Sequence, residues 1–166
     1  KVNIEGHLNI LNAARNSKIK RVVYAASSST YGDSKILPKK EDNIGKPLSP
    51  YAVTKYVNEL YSDVFYKCYG LQTIGLRFFN VFGPRQNPYG QYAAVIPLFF
   101  SSLIENKNVY INGDGTQTRD FTYVLNVVQA IERALFINDN NAINQVYNVA
   151  CGNNISLNKL FLIFLI

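Results

Sequence analysis

The chain has 166 residues, 48% of them hydrophobic, enough for one sizeable domain. Its net charge of +6 would suit either a nucleic-acid surface or bound phosphates, but no basic run is longer than a pair such as Lys39-Lys40, which argues against nucleic acid. Cys68 and Cys151 stand far apart without metal-ligand spacing and His7 is the single histidine, so no metal is expected and the thiols read as those of a reduced, cytoplasmic protein.

From the N-terminus, Ile4, Leu8, Leu11 and Ala14 recur at helical spacing and predict an amphipathic helix over 4–16, with His7 on its surface. Arg21 to Ala26 is a short apolar run of the kind that fills a parallel strand buried on both faces, and it delivers Ser27, Ser28 and Ser29 at its carboxyl end. Open α/β sheets place their ligands at such strand ends. Gly32, Pro38, Gly45 and Pro47 mark 32–48 as a loop. Ser49 is a good N-cap and Pro50 suits the first helical position, so a long helix begins there. Its buried stripe is expected to be Val53, Tyr56, Val57, Leu60, Val64, Phe65 and Cys68, and Gly70 its C-cap.

Leu71 to Phe79 returns as a second buried strand, closing a βαβ unit. Beyond Gly83-Pro84 a helix is expected over about 93–105, a short strand over Asn108–Ile111, a turn at Gly113-Asp114-Gly115 and a helix over about Val124–Phe136. A strand over Gln145–Val149 and a helix capped by Ser156 follow. The alternation defines the fold class as α/β: the distal half of a doubly wound, Rossmann-like parallel sheet plus part of a small substrate-binding lobe. The division expected is 1–80 for the sheet domain and 81–166 mostly for the lobe, with the strand near 145–149 returning to the sheet. The apolar run Leu160–Ile166 is far short of the roughly 20 residues that span a bilayer, so no membrane segment is expected.

The chemistry concentrates in Ser49 to Lys55. Tyr51 and Lys55, four apart, share one face of the helix. A phenol of reference pKa about 10 is a poor base at neutral pH unless a cation stabilises its phenolate, and Lys55 can be that cation. A serine hydroxyl from the neighbouring strand end could hold the substrate oxygen whose proton the tyrosine takes. The three groups suggest an alcohol-to-ketone redox site. Tyr-x-x-x-Lys alone is a weak signal, and the serine run can equally be strand-end capping; each gains weight from the other.

With Leu76-Arg77-Phe78-Phe79-Asn80-Val81-Phe82-Gly83-Pro84 downstream, the chain resembles the extended short-chain dehydrogenase/reductases, the NAD-dependent epimerase/dehydratase family. Ala25 to Asp33, Gly45 to Glu59 and Tyr110 to Gly115 make it most similar to the bacterial UDP-N-acetylglucosamine 4-epimerases. The resemblance runs over about residues 1–158.

It implies NAD as cofactor, a UDP-sugar substrate and a homodimer paired through long helices, one of them the helix after Tyr51. Tyr51 would be the general base at the sugar C4 hydroxyl, Lys55 would bind the nicotinamide ribose, and Ser27 would share a hydrogen bond with the substrate oxygen. Ser28 and Ser29 would lie close to the hexose. Asn3 would face the cofactor, unless it is only a first-turn helix residue. Asn80 and Arg119 would bind the diphosphate, with Asp120 orienting Arg119; Val95, Tyr110 and Asn112 would line the uridine pocket, although Tyr110 could be plain edge-strand packing.

Dehydratases of the family carry an Asp-Glu pair where this chain has Ser28, Ser29 and Thr30, which favours epimerisation. The three-serine phrase favours the N-acetylated sugar over UDP-glucose or UDP-glucuronate. One departure is Asn126, where relatives often have Asp. No Gly-x-Gly-x-x-Gly turn for the dinucleotide phosphates is present, so about a hundred residues of the expected architecture are missing in front, and the chain reads as a fragment that is inactive by itself. A non-enzymatic, degenerate remnant is the alternative of another class.

Overall fold

A computed structural model of the chain describes residues 1–90 and 93–165. A π-helical turn, Val2–Gly6, runs into α1, His7–Asn16; then come β1, Arg21–Ser27, a 3-10 turn, Ser28–Tyr31, α2, Pro50–Tyr69, and β2, Gln72–Phe78. They are followed by β3, Asn80–Phe82, α3, Val95–Ile104, β4, Thr118–Arg119, β5, Phe121–Tyr123, and α4, Val124–Phe136. The last elements are β6, Gln145–Val149, β7, Ile155–Ser156, and α5, Leu157–Phe164. The chain forms two compact units, Lys1–Phe79 with Val128–Val149, and Asn80–Val127 with Ala150–Ile166.

In the first unit β1, β2 and β6 form a parallel sheet in that order, with β2 central. Thr73, Ile74, Leu76 and Arg77 of β2 are all buried, as a central parallel strand requires. Leu11 and Ala14 of α1, Phe65 of α2 and Leu71 make the core, flanked by Leu8, Val22 and Tyr61. Burying a side chain such as Leu11 or Phe65 contributes roughly 1.5–3 kcal/mol. Arg21, opening β1, donates to the carbonyls of Ala134 and Leu135 at 2.9 and 3.0 Å and to Gln72. It thereby satisfies carbonyls at the end of α4 that have no partner within the helix.

The long helix starts and stops where its sequence dictates. Ser49 Oγ accepts from the Ala52 amide at 3.1 Å, and Gly70, at φ 69°, closes the helix in the left-handed region. Its packing bears out only part of the expected stripe: Phe65 is buried and Tyr56 and Val57 are half-buried. Val53, Leu60 and Val64 are nearly half exposed and Cys68 is exposed, whereas Ala52, Asn58, Glu59, Ser62 and Phe65 are buried. The inward side is polar because polar partners wait for it: His7 meets Ser62 and Arg77 meets Glu59. Buried polar groups are almost always paired in this way.

In the second unit β3 pairs in parallel with β5, and β4 pairs antiparallel with β7. Phe99 of α3 packs edge-on against Phe161 of α5 at 5.9 Å, and Ser156 caps α5 by accepting from the Lys159 amide. The strand expected over Asn108–Ile111 does not form; these residues are irregular, and Tyr110 is 82% exposed. A lone extended segment has nothing to pair with, and the ladder forms instead at Thr118–Arg119 with Ile155–Ser156. The expected single strand over Leu71–Phe79 ends at Phe78, and a separate short strand begins at Asn80. Among the described residues no helix is long and apolar enough to cross a membrane, and no cluster of three metal-ligating side chains occurs.

Candidate active site

In the first unit β1 carries the chain to Ser27, which is buried. Ser27 Oγ accepts from the Ser29 amide at 3.2 Å and from Ser29 Oγ at 2.9 Å, while Thr30 Oγ1 donates to the Ser27 carbonyl at 2.7 Å. The hydroxyl thus caps the 3-10 turn that presents Ser28 and Ser29. Both bonds at Oγ are accepted ones, so the Ser27 proton can be directed to another oxygen.

Tyr51 stands in the first turn of α2 with half its surface exposed, and Lys55 follows one turn later, partly buried. The Lys55 ammonium donates to the carbonyl of Ala25 at 3.0 Å and lies 5.8 Å from the centre of the Tyr51 ring. Ala25 is two residues before Ser27, so the helix face bearing the phenol and the ammonium is tied to the strand end bearing the serines. Asn3 donates to Thr54 Oγ1 at 3.1 Å, and Thr54 Oγ1 donates to the Tyr51 carbonyl at 2.7 Å. This fastens the N-terminal turn to the same stretch of α2.

His7, expected on the surface, is half-buried. Its Nε2 lies 3.0 Å from Ser62 Oγ and its ring meets Tyr24 edge-on at 5.2 Å. Burial, with the charge of Lys55 adding to it, holds the imidazole below its ordinary pKa of 6.5 against an opposing hydrogen bond at Asn58. Burial likewise raises the Tyr24 phenol above its usual range, opposed by Ser62. The helical periodicity that suggested a surface histidine counts apolar residues, and α1 meets α2 through this polar pair as well as through Leu11.

Sequence reasoning also passed over a buried ion pair. Arg77 of β2 grips Glu59 of α2 with both prongs, Nε to Oε1 at 2.9 Å and Nη2 to Oε2 at 2.7 Å, and the side chains are 4% and 6% exposed. Burial works against the charged guanidinium, and Glu59 together with Tyr31 more than offsets it, so Arg77 is raised above its ordinary pKa. The available signal was an arginine inside an otherwise apolar strand, which demands a buried acid nearby.

The residues expected to hold a nucleotide lie in the second unit. Asn80 opens β3 opposite Phe121 and donates through its amide to the Asp120 carbonyl at 2.9 Å. Arg119 is exposed on β4, and its Nη1 donates to the Thr118 carbonyl at 2.8 Å. Asp120 does not orient it. Its carboxylate accepts instead from the amides of Cys151 and Gly152, at 3.0 and 2.8 Å, pinning the loop after β6. Asn126, in the first turn of α4, reaches Cys151 Sγ at 3.7 Å. Val95 begins α3, Tyr110 is exposed, and the Asn112 carbonyl accepts from Gln117. Asn80 and Arg119 thus flank the β3–β5 pair, whereas no hydrogen bond among the described residues joins Val95, Tyr110 or Asn112 to them.

A serine-tipped parallel strand beside a Tyr-x-x-x-Lys helix, on an α/β sheet, defines a class, and residues 1–150 match the NAD dependent epimerase/dehydratase family: the chain belongs to that family. It is 40% identical over 161 residues to a putative UDP-glucose 4-epimerase of Methanocaldococcus jannaschii, covering 96% of this chain and 51% of that protein. Among solved structures, the UDP-N-acetylglucosamine 4-epimerase of Methanobrevibacter ruminantium M1, in complex with UDP-N-acetylmuramic acid, superposes with a TM-score of 0.92 at 42% identity over 97% of this chain and 51% of that one. The UDP-glucose 4-epimerase of Thermotoga maritima with UDP-glucose gives 0.90 at 37% identity over the same shares, 97% and 51%. The sheet is therefore Rossmann-like, and the chain spans about half the length of these relatives.

Proposed function

We propose that the chain is the catalytic and substrate-binding portion of a cytoplasmic, NAD-dependent UDP-hexose 4-epimerase acting on UDP-N-acetylglucosamine and UDP-N-acetylgalactosamine. The observation that carries this is the Lys55 ammonium bonded to Ala25, two residues before Ser27, with Tyr51 one turn earlier on the same helix.

The donor set fits the nicotinamide end of a dinucleotide. An ammonium has three N–H bonds, and with one given to Ala25 two remain for ribose hydroxyls. Tyr51 and Asn3 would complete the contact. When bound, NAD would supply the acceptor and donor of a hydride at the sugar C4. Tyr51 takes the proton of the C4 hydroxyl as that hydride leaves and returns it on reduction. Ser27 donates its hydroxyl proton to the same sugar oxygen. Lys55 places positive charge beside the phenol in which negative charge develops. Inversion would require the 4-keto sugar to turn over in the pocket and present its opposite face, so that no second substrate is consumed.

Asn80 and Arg119 would hold the diphosphate, the guanidinium being suited to paired phosphate contacts, and Val95, Tyr110 and Asn112 the uridine. Ser28 and Ser29 would face the hexose. Epimerisation is favoured over dehydration because Ser28, Ser29 and Thr30 include no acid and Thr30 is fully buried against Ser27. The outward apolar stripe of α2, Val53, Leu60 and Val64, supports a homodimer in which two copies pair along this helix.

The test uses the longest open reading frame that contains the chain. NAD is supplied with UDP-N-acetylglucosamine, UDP-glucose or UDP-glucuronate, and inversion is followed by proton NMR. Turnover should be fastest with the N-acetylated sugar. Tyr51→Phe should lower kcat by roughly 10²–10⁴-fold with an unchanged melting curve. Undiminished activity in that variant removes the base assignment, and no turnover of any UDP-hexose removes the epimerase reading.

A further inference from the structure

Around Arg77 the structure gathers five segments of the first unit. Its Nε and Nη2 go to Glu59 of α2, its Nη1 donates to the Glu41 carbonyl at 2.9 Å, and its guanidinium lies 4.9 Å from the centre of the Tyr31 ring. Tyr31, which ends the serine turn, donates its hydroxyl to Asn148 Oδ1 at 2.7 Å. Asn148 of β6 in turn donates its amide N–H to the Glu41 carboxylate at 2.8 Å and its side-chain NH₂ to the Lys39 carbonyl at 3.0 Å. One planar group therefore touches the helix, the loop and the serine turn from a single point on the central strand. That point is in register with Ala26, next to Ser27.

We propose that Arg77 is the positioning residue of this site: through Glu59 it sets the rotation of α2, and through Tyr31 the seat of the serine turn, so that Lys55 and Tyr51 come to Ser27. Glu59 stands at the spacing that continues Tyr51 and Lys55, four residues further along the same face. Of the apolar side chains of α2 only Ala52 and Phe65 are buried, while Val53, Leu60 and Val64 point out, so hydrophobicity alone sets the rotation weakly. The sensitivity is geometric. A side-chain tip lies about 5–6 Å from a helix axis, so a rotation of about 20° moves it by about 2 Å. That displacement breaks the 3.0 Å bond from Lys55 to Ala25. The role in catalysis rests on the epimerase reading above; the placement of Lys55 does not.

Two variants test it. Arg77→Lys keeps the charge and loses the fork, and the double variant Glu59→Leu with Arg77→Met replaces the pair by apolar groups, a change that buried ion pairs often tolerate without loss of stability. Each is compared with wild type by far-UV circular dichroism, by melting, and by NMR of the Lys55 ammonium, assigned with Lys55→Arg. We expect both variants to melt cooperatively while the wild-type Lys55 signal is lost. In the active full-length protein kcat should then fall about 10²-fold with KM within about twofold, the scale that a 1 Å misplacement produces. A wild-type Lys55 signal in a folded variant overturns the proposal. Failure of both variants to fold also overturns it, since the pair would then be a requirement of folding and not of placement. If the Lys55 signal is lost but the wild-type protein inverts no UDP-hexose, positioning stands and the epimerase reading falls.

Discussion

Replacing Gly75 by alanine drives a methyl group into the phenol of Tyr24. The new Cβ would lie 2.6 Å from the Tyr24 hydroxyl and 2.7 Å from Cζ, where carbon contacts settle near 3.5–4.0 Å. The two residues face each other across the β1–β2 register, and the ring is already held edge-on against His7 at 5.2 Å, so it has little room to retreat. Overpacking of this kind costs about 1–3 kcal/mol, while alanine in a strand interior otherwise gains about 0.5–1 kcal/mol over glycine. The net expectation is a loss of about 1–2 kcal/mol. With Tyr24→Val the ring is gone, and the same Gly75→Ala change should now stabilise by about 0.5 kcal/mol. Urea unfolding of the four proteins of this cycle, followed by far-UV circular dichroism, measures the coupling, expected at about 2 kcal/mol. An equal cost of Gly75→Ala in both backgrounds refutes the reasoning, because the penalty would then lie in the backbone and not in the ring.

Two further predictions concern the helices that carry the site. Burial holds His7 below 6.5 in the folded chain, so its contribution to stability is complete above the unfolded value and is lost as the pH falls from about 6.5 through the folded pKa; urea midpoints of wild type and His7→Gln should converge on acidification. Leu60→Glu, at a side chain 49% exposed, should leave the circular dichroism spectrum unchanged and shift sedimentation from dimer to monomer, and a monomeric wild type would sink the pairing of α2.

Where burial and apolar pattern coincide, the sequence was readable. Leu71 to Phe79 became the buried β2, and the bounds of α4 and β6 agree with Val124–Phe136 and Gln145–Val149. Arg21 to Ala26 became β1, but as an outer strand of the described sheet it is only half-buried, with Ala25 exposed, and not covered on both faces as expected. Caps were equally legible, because Ser49, Gly70 and Ser156 act through local hydrogen bonds. What failed needed partners distant in sequence. The face that α2 buries is chosen by His7, Thr73 and Arg77, none of which lies within the helix. Asp120 was read as a neighbour of Arg119, yet its partners are amides some thirty residues on, at Cys151 and Gly152. Tyr110 looked like part of a strand, and a strand needs a ladder that the chain supplies elsewhere. Tyr51, Lys55 and Ser27 could be singled out because two of them share a helical turn and the third ends a strand. Glu59 and Arg77 could not, since an acid on a helix is ordinary until its burial is known.

Most helices are pressed into place by water, which drives their greasy side against the protein. On α2 water pushes the other way, towards turning Val53, Leu60 and Val64 inward and Asn58, Glu59 and Ser62 outward. Directional bonds oppose that turn together with the burial of Ala52 and Phe65, and those bonds need α1 and the strands offering Arg77, Ala25 and Thr73 in line. The rotation of the helix therefore depends on its template as much as on its own pattern, and a redesign that ranked its positions by oiliness would turn Tyr51 and Lys55 away from the serines.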